Sequence, residues 1–223
     1  MTENNLGPGE RTKVRRLPGK ANYADQTIYS TLDEARLCHV AAVVGESAMA
    51  LPTLHAREGN TLYLHGSQSN AVMKSVVAAG EAFVTVTLYD GLRLARSAFE
   101  SSIAYRSVAL FGEAHEVTDF AEKSRVLDMF VDVILPGRAS EVRPMNEREV
   151  NLTMVVAVSI DEASAKLSAG PTEDFPEDLD LPIWSGTVPA ALKFTEPVPS
   201  ANGAMASGSI PVPESVQRLL ESQ

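Results

Sequence analysis

Hydrophobic and polar residues alternate along several stretches in the middle of the chain, which is the pattern of strands with one buried face. The alternation is clearest at 83–89 and 152–160, where aliphatic or methionine side chains occupy every second position. Two further apolar runs, 48–57 and 61–65, flank Glu58-Gly59-Asn60 and predict a hairpin with a three-residue loop. The middle of the chain is therefore predicted to be mostly β.

Three more segments have the composition of strands. The short apolar run 37–44 is typical of a buried strand, and Asp90-Gly91 predicts a tight hairpin turn into a strand at 92–98. The run 105–117 is long enough to bend, and Gly112 within it predicts a β-bulge.

Four segments carry helix-start signals, in which a short polar side chain accepts a hydrogen bond from the first turn. The predicted helices run from Asp25 to about Arg36, from Ser69 to Gly80, from Asp119 with Glu122 through Ile134, and from Asn146 with Glu149. Six or seven strands with a few capped helices predict a mostly β fold, a β-barrel with helical plugs. A doubly wound α/β fold is disfavoured because strands and helices do not alternate regularly.

Composition divides the chain into three parts. Residues 1–22 form a polar arm, 23–169 carry the predicted barrel, and 170–223 form a proline-rich extension that packs on the barrel or on a dimer partner. The arm is interpreted either as a solvated segment or as one whose arginines reach an anionic ligand or the partner subunit. Its cations are Arg11, Lys13, Arg15, Arg16 and Lys20.

The formal net charge of −10 disfavours general nucleic-acid binding, because a negatively charged surface repels phosphate backbones. No apolar run approaches the roughly 20 residues of a membrane helix, and the first residues lack the apolar region of a secretory signal. With Cys38 as the one cysteine, no intrachain disulfide forms, which fits a reducing compartment. We therefore expect a cytoplasmic protein.

Known metal and hydrolase motifs are absent from the sequence. The most informative segment is 61–77, where a strand, a Gly-Ser turn and a helix start follow one another. Free backbone N–H groups and the positive end of the helix would suit one phosphate group there, and a purely structural helix cap is the alternative. The polar side chains that would complete such a cradle are Ser67, Ser69, Asn70 and Lys74.

Six stretches, taken in chain order, carry a family resemblance over nearly the whole chain. They are YSTLDEARLCHVA (29–41), ALPTLHAREGNTLYLHGS (50–67), FVTVTLYDGLRLARSAF (83–99), YRSVALFGEA (105–114), LPGR (135–138) and WSGTVP (184–189). Together they resemble the FMN-binding split β-barrel superfamily, the pyridoxamine 5′-phosphate oxidase-like proteins. The most similar branch is that of flavin-nucleotide-binding or 5-nitroimidazole-resistance (NimA-like) proteins.

The resemblance implies a six-stranded split β-barrel with peripheral helices, which forms a homodimer and binds FMN between its subunits. It places the flavin phosphate at the turn and helix after the third strand, and the isoalloxazine ring against the second and third strands. The residues implied to contact FMN are Leu51, Pro52, Thr53, Leu54, His55, Tyr63, His65, Gly66, Ser67, Ser69, Asn70 and Lys74.

Two further residues are candidate cofactor contacts. Related proteins often carry a Ser-Arg pair where this chain has Asn70-Ala71, so the charge for the phosphate would come from Lys74, Arg16 or Arg106. Arg106 is predicted to contact the ligand or, alternatively, to form an ion pair with a carboxylate. Trp184 is predicted to cover the dimethylbenzene edge of the flavin or, alternatively, to anchor the extension.

His65 is the candidate catalytic residue. Alternation places Tyr63 and His65 on one face of their strand. The predicted three-residue loop then sets His55 opposite Tyr63, and it sets Thr53 opposite His65. The resemblance also implies a histidine at this strand end, beside the flavin or substrate pocket. Such a histidine would donate a proton to a reduced substrate, and the alternative is that it only hydrogen-bonds the turn.

The predicted function is an FMN-binding oxidoreductase that reduces a small electrophile, such as a nitro compound or a quinone. Three alternatives stay open. The first is a non-enzymatic flavin-binding protein, and the second is a haem-binding or haem-degrading protein with His55 or His65 as the iron ligand. The third is an interaction module without a cofactor.

Overall fold

The computed structural model describes residues 8–202 and 210–222, and within these ranges the chain forms nine strands and five α-helices. The strands are β1 (Ala21–Asn22), β2 (Leu37–Val44), β3 (Ser47–Glu58), β4 (Thr61–Ser67), β5 (Glu81–Leu94), β6 (Ser102–Glu116), β7 (Thr153–Ser159), β8 (Glu162–Ser168) and β9 (Gly186–Pro189). The helices are α1 (Asp25–Glu34), α2 (Ala71–Ala79), α3 (Phe120–Ile134), α4 (Glu147–Leu152) and α5 (Glu214–Glu221). Residues 1–7 of the arm and 203–209 of the extension lie outside the described residues.

Six of the strands close into a ring. Neighbouring strands pair antiparallel in the order β2, β3, β4, β7, β6 and β5, and β5 pairs with β2 to complete the circuit. The other three strands extend the sheet outward, with β8 on β6, β1 on β8 and β9 on β5. The prediction of a mostly β, six-stranded barrel with peripheral helices is confirmed.

Aliphatic side chains from alternate strand positions fill the interior of the ring, and α1 and α2 pack their apolar sides against it. Val40, Leu64, Val84, Leu110 and Val156 are all completely buried there. Burial of such a side chain contributes about 1.5–3 kcal/mol, so this interior is the main source of stability.

A second, smaller apolar cluster lies outside the ring. It joins the outer faces of β3, β4 and β7 to α3 and α4, with Phe130 of α3 packed over Tyr63 and Val155. The ring wall at β4 is therefore covered on both sides, which holds this strand rigidly.

The β3–β4 hairpin differs from the prediction by one residue. Glu58 pairs with Thr61 across the two-residue turn Gly59-Asn60 rather than across a three-residue loop. Gly59 takes a φ of 57° at the first turn position, as in a type II′ turn. As a result, His55 pairs with Leu64.

The glycines of β5 and β6 also have roles other than those predicted. Asp90-Gly91 does not turn the chain, because β5 continues through it along β6, with a bulge between Tyr89 and Gly91. Gly91 takes a φ of 137°, which other residues rarely adopt. Gly112 stays in register with β5, and a Cβ at this position would lie 1.6 Å from the carbonyl oxygen of Ser159. Gly112 therefore permits a close backbone approach instead of a bulge.

The helix boundaries follow the sequence signals with small shifts. Asn70, not Ser69, caps α2, and its side-chain oxygen accepts a hydrogen bond from the Met73 N–H at 3.1 Å. Gly80 ends this helix in the left-handed conformation, as predicted. Asp25 is the first residue of α1 rather than its cap. The capping box predicted for α4 is confirmed.

The described parts of the arm and of the extension both lie against the barrel. Arg11 of the arm pairs with Glu81 and Glu162 on the strands. The extension adds β9 to the edge of β5, and Ser215 of α5 donates to Glu141 in the short 3-10 helix that follows α3.

Candidate functional site

β3 and β4 separate where their ladder ends, and the gap between them is the candidate site. The last pair of the ladder is His55 with Leu64; the earlier part of β3 pairs with β2, and the later part of β4 pairs with β7. We term this gap the notch, formed by residues 51–54 and 65–67. Across it, no ladder hydrogen bond between described residues joins the two facing edges, so these edges can bind a planar polar ligand.

The turn between β4 and α2 forms a polar cradle at one end of the notch. The Oγ atoms of Ser67 and Ser69 lie 2.9 Å apart, and the Ser69 N–H donates to Ser67 Oγ at 3.2 Å. Asn70 caps α2, which leaves the first two backbone N–H groups of the helix without an intrahelical partner. Lys74 is exposed one turn later and forms no ion pair with any described residue. These groups have the size and charge to hold one phosphate.

The structure therefore places most of the predicted contact residues around one gap. Those at the notch or the cradle are Leu51, Pro52, Thr53, Leu54, His65, Gly66, Ser67, Ser69, Asn70 and Lys74. Their contact with a cofactor stays a prediction.

His65 lies half-buried at the end of β4, on the outer face of the ring. Its ring packs against Phe130 of α3 with the ring centroids 4.3 Å apart. Neither ring nitrogen is hydrogen-bonded to a described residue, and Nδ1 is enclosed. Burial lowers the pKa of His65, so the imidazole is neutral at neutral pH. A neutral imidazole can coordinate a metal centre or accept a proton, whereas a general acid needs the charged form.

His55 and Tyr63 do not lie at the notch. The two-residue turn directs His55 toward α1, where its Nε2–H donates to the Leu32 carbonyl at 2.8 Å. His55 is only 2% exposed, and burial lowers its pKa. Tyr63 lies on the opposite face, buried under α3. The prediction that His55, Tyr63, Thr53 and His65 share one face is therefore wrong, because a one-residue register shift reverses the face of a side chain.

Arg106 forms ion pairs with two carboxylates. Its guanidinium donates to Asp90 at 2.9 and 2.8 Å and to Glu34 on α1. The hydrogen bonds to Asp90 and then to Glu34 raise the pKa of Arg106 above its already high value. Its charge is thus balanced within the barrel, and we do not include it in the cofactor site proposed below.

Trp184 lies beside β9 in the extension. It is 66% exposed, and its ring lies over the backbone of Gly186. The side chain is therefore accessible to a ligand or to a second subunit, and its contact with a cofactor stays a prediction.

One exposed histidine outside the predicted site is notable. His39 lies at the centre of the outer face of β2, between Pro52 on β3 and Thr85 on β5. The alternation in β2 was sufficient to find it, because Cys38 and Val40 are completely buried and the residue between them must point outward. No catalytic role was predicted for it.

Two arginines at the end of β5 hold the extension on the barrel. Arg96 donates from its backbone N–H and from Nη1 to Asp174, each at 2.6 Å, and from Nη1 to Ser185 at 2.8 Å. The backbone N–H of Arg96 is the main reason why the pKa of Asp174 is lowered. Arg93 is buried and donates to the Pro171 carbonyl. The first part of the extension is thus fixed relative to the ring.

The closed six-strand ring, the notch between diverging strands and the phosphate-sized cradle define a split β-barrel of the flavin-binding type. The chain belongs to the pyridoxamine 5′-phosphate oxidase family, whose family model matches residues 24–167. Proteins of this family bind flavin nucleotides. The matched range contains both the notch and the cradle.

Two solved structures resemble this chain over nearly its whole length. The flavocytochrome Anf3 from Azotobacter vinelandii is 34% identical and covers 95% of this chain and 97% of its own, with a TM-score of 0.88. The FAD and haem binding protein from Mycobacterium smegmatis is 33% identical and covers 90% of this chain and 97% of its own, with a TM-score of 0.83.

A third structure is similar over the barrel. The candidate 5-nitroimidazole antibiotic resistance protein from Bacteroides thetaiotaomicron is 21% identical and covers 66% of this chain and 85% of its own, with a TM-score of 0.56. At this identity the likeness shows the fold alone. No curated protein matches the chain at a significant level.

Several other kinds of site find no support. Among the described residues, no helix has the length and apolar character needed to cross a membrane. Within 8–202 and 210–222, no group of three or more His, Cys, Asp and Glu side chains could hold a metal ion. Burial raises the pKa of the Cys38 thiol to about 12, so this cysteine is an inert core residue.

Proposed function

We propose that this protein is a redox protein that binds a flavin nucleotide in the notch and a haem whose iron is held by His65. The supporting observation is the extent of its similarity to the flavocytochrome and to the FAD and haem binding protein. The extension makes up about a quarter of the chain, so a match over 95% of the chain must include most of it. The nitroimidazole-resistance structure covers only 66%. The extension thus accompanies the two-cofactor relatives, which favours a second cofactor here.

The notch and the cradle support the flavin. An isoalloxazine ring carries donors and acceptors along one edge, which the unpaired backbone of residues 51–54 and 65–67 can match. The phosphate would lie at the start of α2, near Ser67, Ser69 and Lys74. FMN, the flavin predicted from the sequence, and FAD both carry this phosphate, so the same residues fit either nucleotide.

The burial and the hydrogen bonding of the histidines support His65 as the iron ligand. His55 is buried and hydrogen-bonded to Leu32, so it cannot reach a haem while α1 stays packed on β3. His65 is neutral, has no hydrogen-bond partner among the described residues and lies at the notch. Neutral imidazole is a common axial ligand of haem iron. Because His65 belongs to the notch itself, it would hold the iron close to the flavin.

A bound flavin exchanges electrons in pairs or singly, which links two-electron donors to a one-electron centre such as haem iron. The chain supplies binding and orientation. His65 keeps its ring in one place by packing against Phe130, and its lowered pKa keeps the coordinating nitrogen unprotonated. That lowered pKa also argues against the predicted proton-donor role. Reduction of a nitro compound or quinone stays a prediction from the sequence.

The absorption spectrum of freshly purified protein tests the proposal. Flavin bands together with a haem Soret band are expected, with both cofactors identified by mass after denaturation. Flavin without haem would leave the FMN-binding oxidoreductase or the non-enzymatic flavin protein, which turnover with a reduced nicotinamide cofactor separates. A colourless protein that takes up neither cofactor would contradict the proposal.

Lys74→Ala is expected to weaken FMN binding roughly tenfold and to leave riboflavin binding unchanged, because an ammonium group acts on the phosphate and not on the ring. Titration by flavin fluorescence quenching measures both affinities. Lys193→Ala, which removes an exposed cation from the extension, is the matched control and should change neither. If Lys74→Ala weakens both ligands equally, Lys74 supports the helix and not the phosphate.

We also propose that a second copy of this chain covers the outer face of β2, β3 and β5 and that the flavin lies at this interface. Leu37 and Val43 project from this face and are more than half exposed. Large apolar side chains left exposed on a sheet face are typical of an interaction site, and two-fold pairing is the commonest form of self-association.

Light scattering is expected to give about twice the chain mass of 23.9 kDa. Val43→Asp should yield monomers, because it places a charge in the covered face. Leu152→Asp, at an exposed leucine on α4 away from this face, is the control and should stay dimeric. A monomer that still binds flavin tightly would contradict a shared site.

A further inference from the structure

The N-terminal arm crosses the outer face of β6 and β8 and encloses a cavity of about 300 Å³. Residues 11–16 form the wall of this cavity, and Ser107, Ala109, Ser164 and Lys166 form its floor. We term it the arm pocket. It lies outside the notch and the cradle, and nothing in the proposed flavin or haem sites uses it.

The charge of the arm pocket is opposite to that of the chain. The chain has a formal net charge of −10, yet no carboxylate occurs among the described residues that line the pocket. Lys13, Arg16 and Lys166 form no ion pair with any described residue, and Arg15 only approaches an exposed Glu10 at 3.8 Å. Uncompensated cations held around one concave site attract an anion. The five cations of the lining are Arg11, Lys13, Arg15, Arg16 and Lys166.

The floor of the pocket offers a hydrogen-bonding group that lacks a partner. Ser164 is only 5% exposed, and its hydroxyl makes no hydrogen bond with any described residue. Its neighbour on the floor is Ala109, directly across the β6–β8 ladder, so no larger side chain fills the space above it. The hydroxyl oxygen itself is not enclosed, so it can hydrogen-bond a ligand atom in the pocket.

The arm is anchored by Arg11 and Thr12, ahead of the cations at 13–16. The backbone N–H groups of Arg11 and Thr12 donate to one carboxylate oxygen of Glu162 at 2.9 and 3.1 Å. The Arg11 guanidinium bridges Glu162 and Glu81 and stacks on Phe111, 4.0 Å from the ring centre. This anchor is built from groups that the cations at 13–16 do not use, so those cations are positioned over the floor and remain available.

We propose that the arm pocket binds a ligand group with at least two negative charges, the phosphates of a nucleotide. A volume of about 300 Å³ is at the lower end for small-ligand sites, which suits the charged part of a ligand. Along β6, the pocket floor ends at Ala109, whereas the pairing with β7, the neighbour of β4, begins at Ala114, about 17 Å further along the strand. The flavin phosphate in the cradle therefore cannot also fill the arm pocket of the same chain.

Isothermal titration of the full-length, flavin-loaded protein with inorganic pyrophosphate tests this proposal. Lys13→Gln/Arg16→Gln is expected to weaken pyrophosphate binding roughly tenfold or more, because it removes two charges from the wall. The control pair Arg148→Gln/Lys193→Gln removes the same charge from exposed positions elsewhere and should change the affinity by less than about twofold. Unchanged flavin absorbance in all variants shows that the fold and the cradle are intact.

Glu162→Ala distinguishes a built pocket from general charge attraction. This substitution removes a negative charge, so a purely electrostatic surface would bind pyrophosphate more tightly. Because Glu162 anchors the arm, we expect weaker binding instead. Ser164→Ala should also weaken pyrophosphate binding several-fold without any change in charge.

ADP tests the nucleotide assignment. It is expected to displace pyrophosphate, and Lys13→Gln/Arg16→Gln should take up haem normally. Displacement of pyrophosphate by haem, with weaker haem uptake by the same variant, would contradict a nucleotide site. The proposal is overturned if pyrophosphate does not bind, if the control pair weakens it equally, or if Glu162→Ala binds it more tightly.

Discussion

His65→Gly is expected to yield a protein that keeps its flavin absorbance and lacks the haem Soret band. The glycine removes the imidazole that we assign to the iron but leaves the backbone edges of the notch and the cradle unchanged. Since the lost side chain packs against Phe130 outside the ring, the interior core is not disturbed. The absorption spectrum of the purified variant gives the result directly.

Exogenous imidazole provides the sharper control. Glycine leaves a space of the size of the lost ring, so added imidazole is expected to restore the Soret band if coordination was the function of His65. His39→Ala and His115→Ala change exposed histidines and should keep the haem. If His65→Gly keeps its haem and His39→Ala loses it, the iron lies on the open face of β2 and our assignment is wrong.

The pH dependence of haem binding follows from the same assignment. Burial lowers the pKa of His65, so protons displace it from the iron only below the usual histidine value of about 6.5. We therefore expect equal haem occupancy at pH 8 and pH 6.5, with loss at lower pH. Half-loss of haem at or above pH 6.5 would contradict this assignment, because protonation of a buried histidine requires a lower pH.

Alternation in the sequence was sufficient to predict the ring strands that have one buried face. In β2, Cys38 and Val40 are buried while Leu37 and His39 point outward, as a period of two requires. In β7, Met154, Val156 and Val158 are buried as predicted, but Val155 and Ala157 are buried as well, on the outer face, and Leu152 belongs to α4 and is 60% exposed. These positions could be predicted because burial in a strand depends on local spacing.

The β3–β4 register could not be predicted from the same pattern. Glu58-Gly59-Asn60 permits a loop of either two or three residues, and the choice reverses every later assignment of face. In the folded chain, Arg57 pairs with Asp33 and stacks on Tyr29, both on α1, which fixes the two-residue turn. These partners lie more than twenty positions away, beyond the reach of local patterns.

Contacts between distant parts of the chain also limited the prediction of the candidate flavin site. Resemblance placed the notch and the cradle, but the partners of individual side chains came from distant elements. Leu32 holds His55 inside the barrel, Glu34 neutralises Arg106, and α3 covers Tyr63. Each of these contacts engages a predicted cofactor residue with a partner elsewhere in the fold, and none of them leaves a local signal in the sequence.

Gly112→Ala is expected to disrupt the barrel itself. A methyl group at this position would lie 1.6 Å from the Ser159 carbonyl oxygen and 2.6 Å from its carbonyl carbon. Both atoms belong to the backbone, so no change of rotamer relieves the overlap, and β6 must move away from β7. That movement breaks the hydrogen bonds from the Glu113 N–H to Ser159 Oγ and to Asp161, at 3.0 and 3.1 Å.

We expect Gly112→Ala to lower the free energy of unfolding by about 3 kcal/mol, at the upper end for overpacking and a large share of a domain's net stability. Chemical denaturation measures this change. At Gly19 a Cβ meets nothing within 4 Å, so Gly19→Ala should stay within about 0.5 kcal/mol. An unchanged midpoint for Gly112→Ala would show that β6 and β7 approach less closely than the structure indicates.

Because β6 pairs with both β5 and β7, strain at Gly112 acts on the closure of the ring, and flavin binding at the notch should fall with stability.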